Sequence, residues 1–482
     1  MNYLIYVLLL LIELASVGFS YAQKASTDAI RPNIILINVD DLGWKDVAFM
    51  GSRYYETPNI DRLAAEGTVF LQAYAGAANC APSRACLMSG QNTPRHGIYT
   101  VANSDRGDAR TRQLIPTPNS ETLADSIYTL AEMLRDNGYV TGTFGKWHLG
   151  EDPTTQGFQV NVGGSHRGHP GKGGYFSPYQ LEFLKDGPTG EYLTDRLGQE
   201  AIRFVQAYQD TTFFLYLPFY SVHTPIMGKE ALVNKFERKP GTDGQHRADY
   251  AAMIASVDEN VGRLLTEVER AGLTNNTLVM FTSDNGGIRS ISSQHPLRAG
   301  KGSYYEGGIR VPLVIRWPGV VAAGQHSEIP VTNLDVYPTL QSLIRAKKTS
   351  GLLDGDDISP LFDGQALPER TLVWHFPVYL QAYQPKEDDG RDPLFRTRPG
   401  SVIRQGRWKL HEYFEEEALE LYDLVTDPGE TTNLITKQPQ RAQALHQQLQ
   451  EWRATMEAPV PSTPNPQYDA RFEQQESERV GQ

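Results

Sequence analysis

The run Asn33-Ile34-Ile35-Leu36-Ile37-Asn38-Val39 is apolar and largely β-branched, and it stops at two consecutive acids, Asp40 and Asp41. A segment with no wet face has to be covered on both sides, which is the position of a central strand in a parallel sheet. Comparable runs lie at Phe213 to Leu217, Leu278 to Thr282 and Val311 to Ile315. Between the runs come stretches of helical spacing, Thr57 to Gly67, Thr122 to Gly138, Asp195 to Gln209 and Ala248 to Gly272. This alternation predicts an α/β fold, a mostly parallel sheet between layers of helices. Ligands of such sheets gather beyond the carboxyl ends of the strands. One strand here ends in Asp40 and Asp41 and another leads into Asp284 and Asn285, so two acidic pairs far apart in sequence are expected to converge.

The rest of the 482 residues divides by character. Tyr3 to Phe19 is a short apolar stretch followed by Ser20, Tyr21, Ala22 and Gln23, which reads as a secretory signal peptide over residues 1–22 cleaved after Ala22. A membrane anchor is the alternative, but Glu13 interrupts the stretch and it is short for a span. A large domain is expected over 31–375. A small α+β domain is expected over 376–458, with a Pro-rich, charged loop around Pro385 to Pro399, short strands near Val402 to Leu410, a turn-rich stretch from Tyr422 to Asn433 and a helix from Gln438 to Met456. Residues 459–482 are rich in Pro, Gln and Glu and are expected to form a flexible tail. The chain is therefore expected to be secreted or periplasmic, with no stable membrane insertion. A net charge of −12 lacks the positive field that nucleic-acid backbones require. Cys80 and Cys86 are the only cysteines, too few for a disulfide scaffold, although a small-loop disulfide or half of a metal site stays open on composition alone.

The segment Cys80-Ala81-Pro82-Ser83-Arg84-Ala85-Cys86-Leu87-Met88-Ser89-Gly90 resembles the signature C-x-P-S-R-x-x-L-x-T-G of type I sulfatases, with Ser89 in place of the usual Thr. Pro82 belongs in the first turn of a helix, which puts Cys80 near its N-terminus, where free N–H groups favour an anion. Gly145-Lys146-Trp147-His148-Leu149-Gly150 is similar to a second segment of that family, and His223-Thr224-Pro225, Gly300-Lys301-Gly302 and Leu421-Tyr422-Asp423-Leu424 match others. The resemblance spans about residues 31 to 434 and implies an alkaline-phosphatase-like fold. It implies also that Cys80 is oxidised by a formylglycine-generating maturation enzyme to formylglycine (3-oxoalanine), whose hydrated form is the nucleophile. A thiolate at Cys80 would profit from the same surroundings, so a thiol enzyme remains the competitor on the residues alone.

Asp40, Asp41, Asp284 and Asn285 supply hard oxygen donors, which suit calcium or magnesium better than zinc. The resemblance favours Ca2+ and adds the residue at Cys80 to the metal set. It further implies catalytic roles for Arg84, Lys146, His148, His223 and Lys301: the cations steady the nucleophile and the sulfate oxygens, His223 with Lys301 protonates the leaving oxygen as a covalent sulfated intermediate forms, and His148 deprotonates the second hydroxyl, which expels sulfate and regenerates the aldehyde. The stretch Gly163 to Tyr175 is Gly-rich and cationic, and its His166, Arg167, His169 and Lys172 are candidates to bind a sulfated carbohydrate, with His295, Arg298 and Arg289 on the opposite wall. An algal galactan or ulvan, or a glycosaminoglycan, is the expected substrate class. The rival readings are a phosphate or phosphonate ester hydrolase on the same fold and a non-catalytic carbohydrate-binding protein.

Overall fold

The strand Asn33–Val39 lies inside an eight-stranded sheet in the computed structural model, which describes residues 31–481. Its neighbours are Phe213–Pro218 and Thr277–Ser283, both parallel to it and in continuous register. Across the sheet the order is Gln325–Ser327, Thr68–Phe70, Leu313–Arg316, Thr277–Ser283, Asn33–Val39, Phe213–Pro218, Val140–Phe144 and Val160–Val162. Leu313–Arg316 runs antiparallel to both its partners, so the expected run from Val311 to Ile315 is divided at Pro312 and turns the sheet from purely parallel to mixed. Pro312 has no N–H to give a ladder, which is reason enough for the break. The expected signal peptide, residues 1–22, lies outside the described residues.

Successive strand residues face opposite ways, and the two faces carry two cores. Ile35, Ile37 and Val39 pack with residues of the helices Leu193–Ala207 and Ala248–Arg270. Ile34 and Leu36 pack with the layer holding Cys80–Ser89, Leu130–Asp136 and Val336–Leu343. Each of these aliphatic side chains is fully buried, a stabilisation of roughly 1.5–3 kcal/mol apiece. The helical stretch expected from Thr122 is shorter than its apolar spacing suggests. It starts only at Leu130, because Thr129 accepts from the backbone of Glu132 while the Glu132 carboxylate accepts from the backbone of Thr129.

The smaller, C-terminal unit has its own antiparallel sheet, whose first strand in the sequence, Thr371–Phe376, ends at the expected start of 376. Thr371–Phe376 is the edge of a four-stranded antiparallel sheet completed by Gly400–Gln405, Trp408–Tyr413 and Ala418–Asp423. One face packs on the helix Pro439–Met456 through Leu445 and Leu449, and the other meets Tyr74, Ala78, Tyr304 and Ile309 of the larger unit. The tail differs from the expected loose segment. Thr463 and Asn465 bond to the backbone of Ile115 and Gln113, Ala470–Gly481 is helical, Glu473 pairs with Arg398 at 2.8 Å, and Phe472 lies 3.5 Å below the Arg110 guanidinium. Polar and cation–π contacts order a segment whose low apolar content predicted freedom. Among the described residues no helix is long and apolar enough to cross a membrane.

Candidate active site

At the carboxyl ends of the two central strands the chain is knotted together by hydrogen bonds. Ser283 Oγ donates to the Val39 carbonyl and accepts from the Leu42 N–H at 3.1 Å, and the Asp284 N–H donates to Val39. Asp41 adopts a left-handed φ of 60° and its N–H reaches Asp284 Oδ1 at 3.2 Å. The helix Cys80–Ser89 begins at the same point, so Cys80 occupies its first position, and Cys80 Sγ lies 3.5 Å from Asp40 Oδ1 and 3.7 Å from Asp41 Oδ1. All three are buried.

Three cations close around these acids. Lys146 Nζ is 2.6 Å from Asp40 Oδ2, Lys301 Nζ is 2.7 and 2.8 Å from the two oxygens of Asp41, and Arg84 donates to Asp284 Oδ2 and to the Lys146 carbonyl. Lys146 reaches in because Gly145 has a φ of 129° and sits where a Cβ would lie 2.1 Å from the Pro218 carbonyl, so no other residue fits without shifting the strand end. Two histidines border the cluster. His223 Nε2 is 3.8 Å from Asp41 Oδ2, and the mutual backbone bonds of Asp40, Ser221 and Val222 bring it there. His148 is wedged against Gly168, where a Cβ would come within 2.4 Å of its ring.

Burial pushes the Asp40 carboxyl up to about 7, with Asp284 and Asp41 adding to the effect and Lys146 opposing it. Burial works in the same direction at Asp41, but there Lys301 and His223 outweigh it and hold the acid below its usual range. Burial pushes the Cys80 thiol up to about 12 against the pull of Lys146 and Lys301. Both histidines are driven down, first by burial and then by neighbouring lysines, His223 to about 3. The pocket thus holds neutral imidazoles beside three carboxylates, each paired with one of three cations.

The close packing of these acids, and one orphan atom, bear on a metal. Ligand atoms of Asp40, Asp41 and Cys80 lie within 4.8 Å of one another, and Asn285 Oδ1 is buried with no hydrogen-bond partner while its Nδ2 donates to Asp41. A bare carbonyl oxygen beside clustered carboxylates fits a hard divalent cation, so the residues present suit the expected ion. His148 Nδ1 is likewise buried without a partner. Asp40, Asp41, Asp284, Asn285, Cys80, Arg84, Lys146, His148, His223 and Lys301 are thus brought into one site.

The expected carbohydrate contacts fare less evenly. The loop from Gly163 to Tyr175 does run beside His148 through Gly168. Within it Arg167 is held by both oxygens of Glu182 and His166 meets Glu151 at 3.0 Å, whereas His169 and Lys172 are exposed. His295 is exposed, with its carbonyl accepting from Lys45. Arg298 turns to backbone acceptors of the C-terminal part. Its guanidinium donates to the carbonyls of Asp389, Gly390 and Glu430 and lies 3.9 Å from the Tyr305 ring, because the smaller unit offers it unpaired backbone acceptors there. Sequence reasoning missed two supports. Buried Asp46 accepts from Ser292, Gln294, Tyr250 and Gly43, and Arg396 donates to the Lys301 carbonyl at 2.8 Å. Neither has a local signal, since each acts between segments distant in sequence.

A family model described as Sulfatase matches residues 32–346, and one described as N-sulphoglucosamine sulphohydrolase, C-terminal, matches residues 300–455. The chain is 33% identical to a protein named sulfatase from Formosa agariphila, over 89% of this chain and 90% of that protein. It is 31% identical to N-acetylgalactosamine-6-sulfatase of Mus musculus, over 85% and 78%. A crystal structure of Ps i-CgsB in complex with k-i-k-neocarrahexaose superposes with a TM-score of 0.72 at 29% identity, covering 93% of this chain and 97% of that one.

Proposed function

The chain belongs to the sulfatase family and is a sulfuric ester hydrolase, and on that premise we propose that it desulfates a carbohydrate with the residue at position 80 as nucleophile. The observation that carries this reading is the convergence of Cys80 with Asp40 and Asp41 at 3.5 and 3.7 Å, inside a ring of Lys146, Lys301 and Arg84. The family uses formylglycine and a divalent metal, and a thiol held near 12 is a poor source of thiolate at neutral pH, which favours the modified side chain over a thiol enzyme. When present, the hydrated aldehyde supplies an oxygen nucleophile, and the divalent ion, for which we propose Ca2+, supplies positive charge beside it.

The chain's own groups do the rest. Asp40, Asp41, Asp284, Asn285 and residue 80 would hold the ion. Lys146 and Lys301 turn their ammonium groups to the sulfate oxygens and offset the charge that grows there in the transition state. Arg84, locked between Asp284 and the Lys146 carbonyl, keeps the helix start and the Lys146 segment in fixed relation. His223, at the mouth, donates the proton to the leaving sugar oxygen, and neutral His148 removes one from residue 80 so that sulfate departs. The carbohydrate reading draws support from the sugar named in the superposed complex and from the galactosamine sulfatase relative. We place the protein outside the cytoplasm, in periplasm or medium, on the signal-like segment before Gln23.

The deciding experiment is peptide mass spectrometry across Cys80 on protein from its native host, paired with sulfate release measured by ion chromatography. Conversion to formylglycine removes the elements of hydrogen sulfide and adds one oxygen, which makes the peptide lighter. We expect that product, and we expect Cys80→Ser to lose at least about 1,000-fold in kcat while unfolding at the same temperature. A wholly unmodified Cys80 in active protein, or a serine variant of full activity, would overturn the nucleophile assignment.

A further inference from the structure

Outside the charged pocket, a cleft leads away from His223. Its first part, a cavity of about 510 Å³, is lined by His223, Thr224, Arg247, Ile291 and Tyr383 among others. A second cavity of about 600 Å³ shares Ser290, Ile291 and Glu387 with the first and extends to Arg289, His246 and Lys386. The floor is the strap of residues 288–294, which Asp46 pins through Ser292 and Gln294, and the opposite wall is the 383–389 loop of the smaller unit.

Two side chains in this cleft have unspent capacity. Arg247 is satisfied by Asp249. Arg289 has no ion-pair partner among the described residues, and its Nε is buried without a hydrogen-bond acceptor. Half-buried and lining the cavity with its charge unpaired, this guanidinium can take a carboxylate or sulfate in a two-pronged contact. Glu387 and Asp389 also line this part, yet neither pairs with Arg289. Tyr383 is 44% exposed, unusual for a ring held on one side by a guanidinium: Arg396 lies 3.3 Å from its centroid and donates onward to the Lys301 carbonyl. The ring is thereby fixed relative to the reacting centre, with its remaining surface open to the cavity that contains His223. A fixed aromatic face is what the C–H face of a pyranose packs against.

We propose that this cleft is a subsite for a second acidic group on the substrate, a sulfate ester or a carboxylate held by Arg289, with the intervening sugar lying against Tyr383. The inference rests on the carbohydrate reading above and narrows it to carbohydrates that carry a further anion beyond the sulfate removed. It also moves the specificity surface from the Gly163 to Tyr175 loop to the segments on the other side of His223.

The test compares three oligosaccharides of one backbone: one with a single sulfate, one with a second sulfate on the neighbouring sugar, and one with a carboxylate there. The wild-type protein is expected to favour a doubly anionic substrate by about 10-fold or more in kcat/KM, chiefly through KM, with the preference shrinking as salt rises. Whichever of the two is preferred identifies the source of the anion. Arg289→Met is expected to erase the preference and Arg289→Lys to keep part of it. Should Arg289→Met fail to fold, Tyr383→Ala decides: a raised KM on the doubly anionic substrate supports the subsite, and an unchanged KM overturns it. An active wild type without preference, or a methionine variant that keeps it, overturns this inference alone. No sulfate released from any of the three overturns the carbohydrate reading and this inference with it.

Discussion

His223 is the residue whose charge state is most informative. In the free protein, burial and Lys301 depress its imidazole to about 3, so it is neutral at ordinary pH, yet its proposed task is to give a proton. A bound sulfate ester brings a negative charge next to it and raises its affinity for that proton. The basic limb of the kcat profile, which reports the complex, should therefore lie about one pH unit or more above the basic limb of kcat/KM, which reports the free protein. His223→Ala should remove the limb and lower kcat by about 100-fold on a sugar sulfate, and by much less on an aryl sulfate whose leaving group needs no proton. Coincident limbs, or equal losses on the two substrates, would assign His223 to sulfate binding instead. The positions of the clustered residues could be read from sequence because Cys80 and Arg84, Lys146 and His148, and Lys301 each sit in a distinctive local pattern. Tyr383 and Arg396 had none, and their importance arises only where the smaller unit folds back on the Lys301 loop.

At the level of single elements, strands and long helices were legible and connections were not. Asn33–Val39 and Ala248–Arg270 follow directly from apolar run and apolar spacing. The Thr122 stretch overshot because its apolar spacing continues through Leu123 and Ile127, although the Thr129-to-Glu132 box that starts the true helix was there to be seen. The strap of residues 288–294 was invisible, since its order comes from Asp46. That carboxylate accepts from Ser292 at 2.6 Å, Gln294 at 2.8 Å, Tyr250 at 2.7 Å and the Gly43 backbone at 2.9 Å. Asp46→Ala should leave these donors unanswered at a cost of about 2 kcal/mol or more. Hydrogen exchange should quicken over 288–296 and the thermal midpoint should fall, whereas unchanged protection of that segment would mean that the strap is held by something else.

On the scale of the whole molecule, composition identified a large α/β unit with a small α+β unit, and it misjudged the end of the chain. Hydropathy counts apolar residues, but the last segment is tied by Asn465 to the backbone of Ala109 and Arg112, by Glu473 to Arg398 and by Phe472 to Arg110. Ending the chain after Ala458 should leave both sheets intact and make the 105–115 loop exchange faster. Its exchange rate would stay the same if the contacts were incidental. The paired charges at the centre carry a broader consequence. Lys146 and Lys301 neutralise Asp40 and Asp41, the same carboxylates that a divalent ion would claim. An ion that draws off the carboxylates frees two ammonium groups for an oxyanion, and an oxyanion that draws off the ammonium groups leaves the carboxylates to the ion. By thermodynamic reciprocity each occupant tightens the other by one common factor, which makes product inhibition and metal retention a single property of the site: sulfate left to accumulate would slow the reaction and guard the ion against chelators at once.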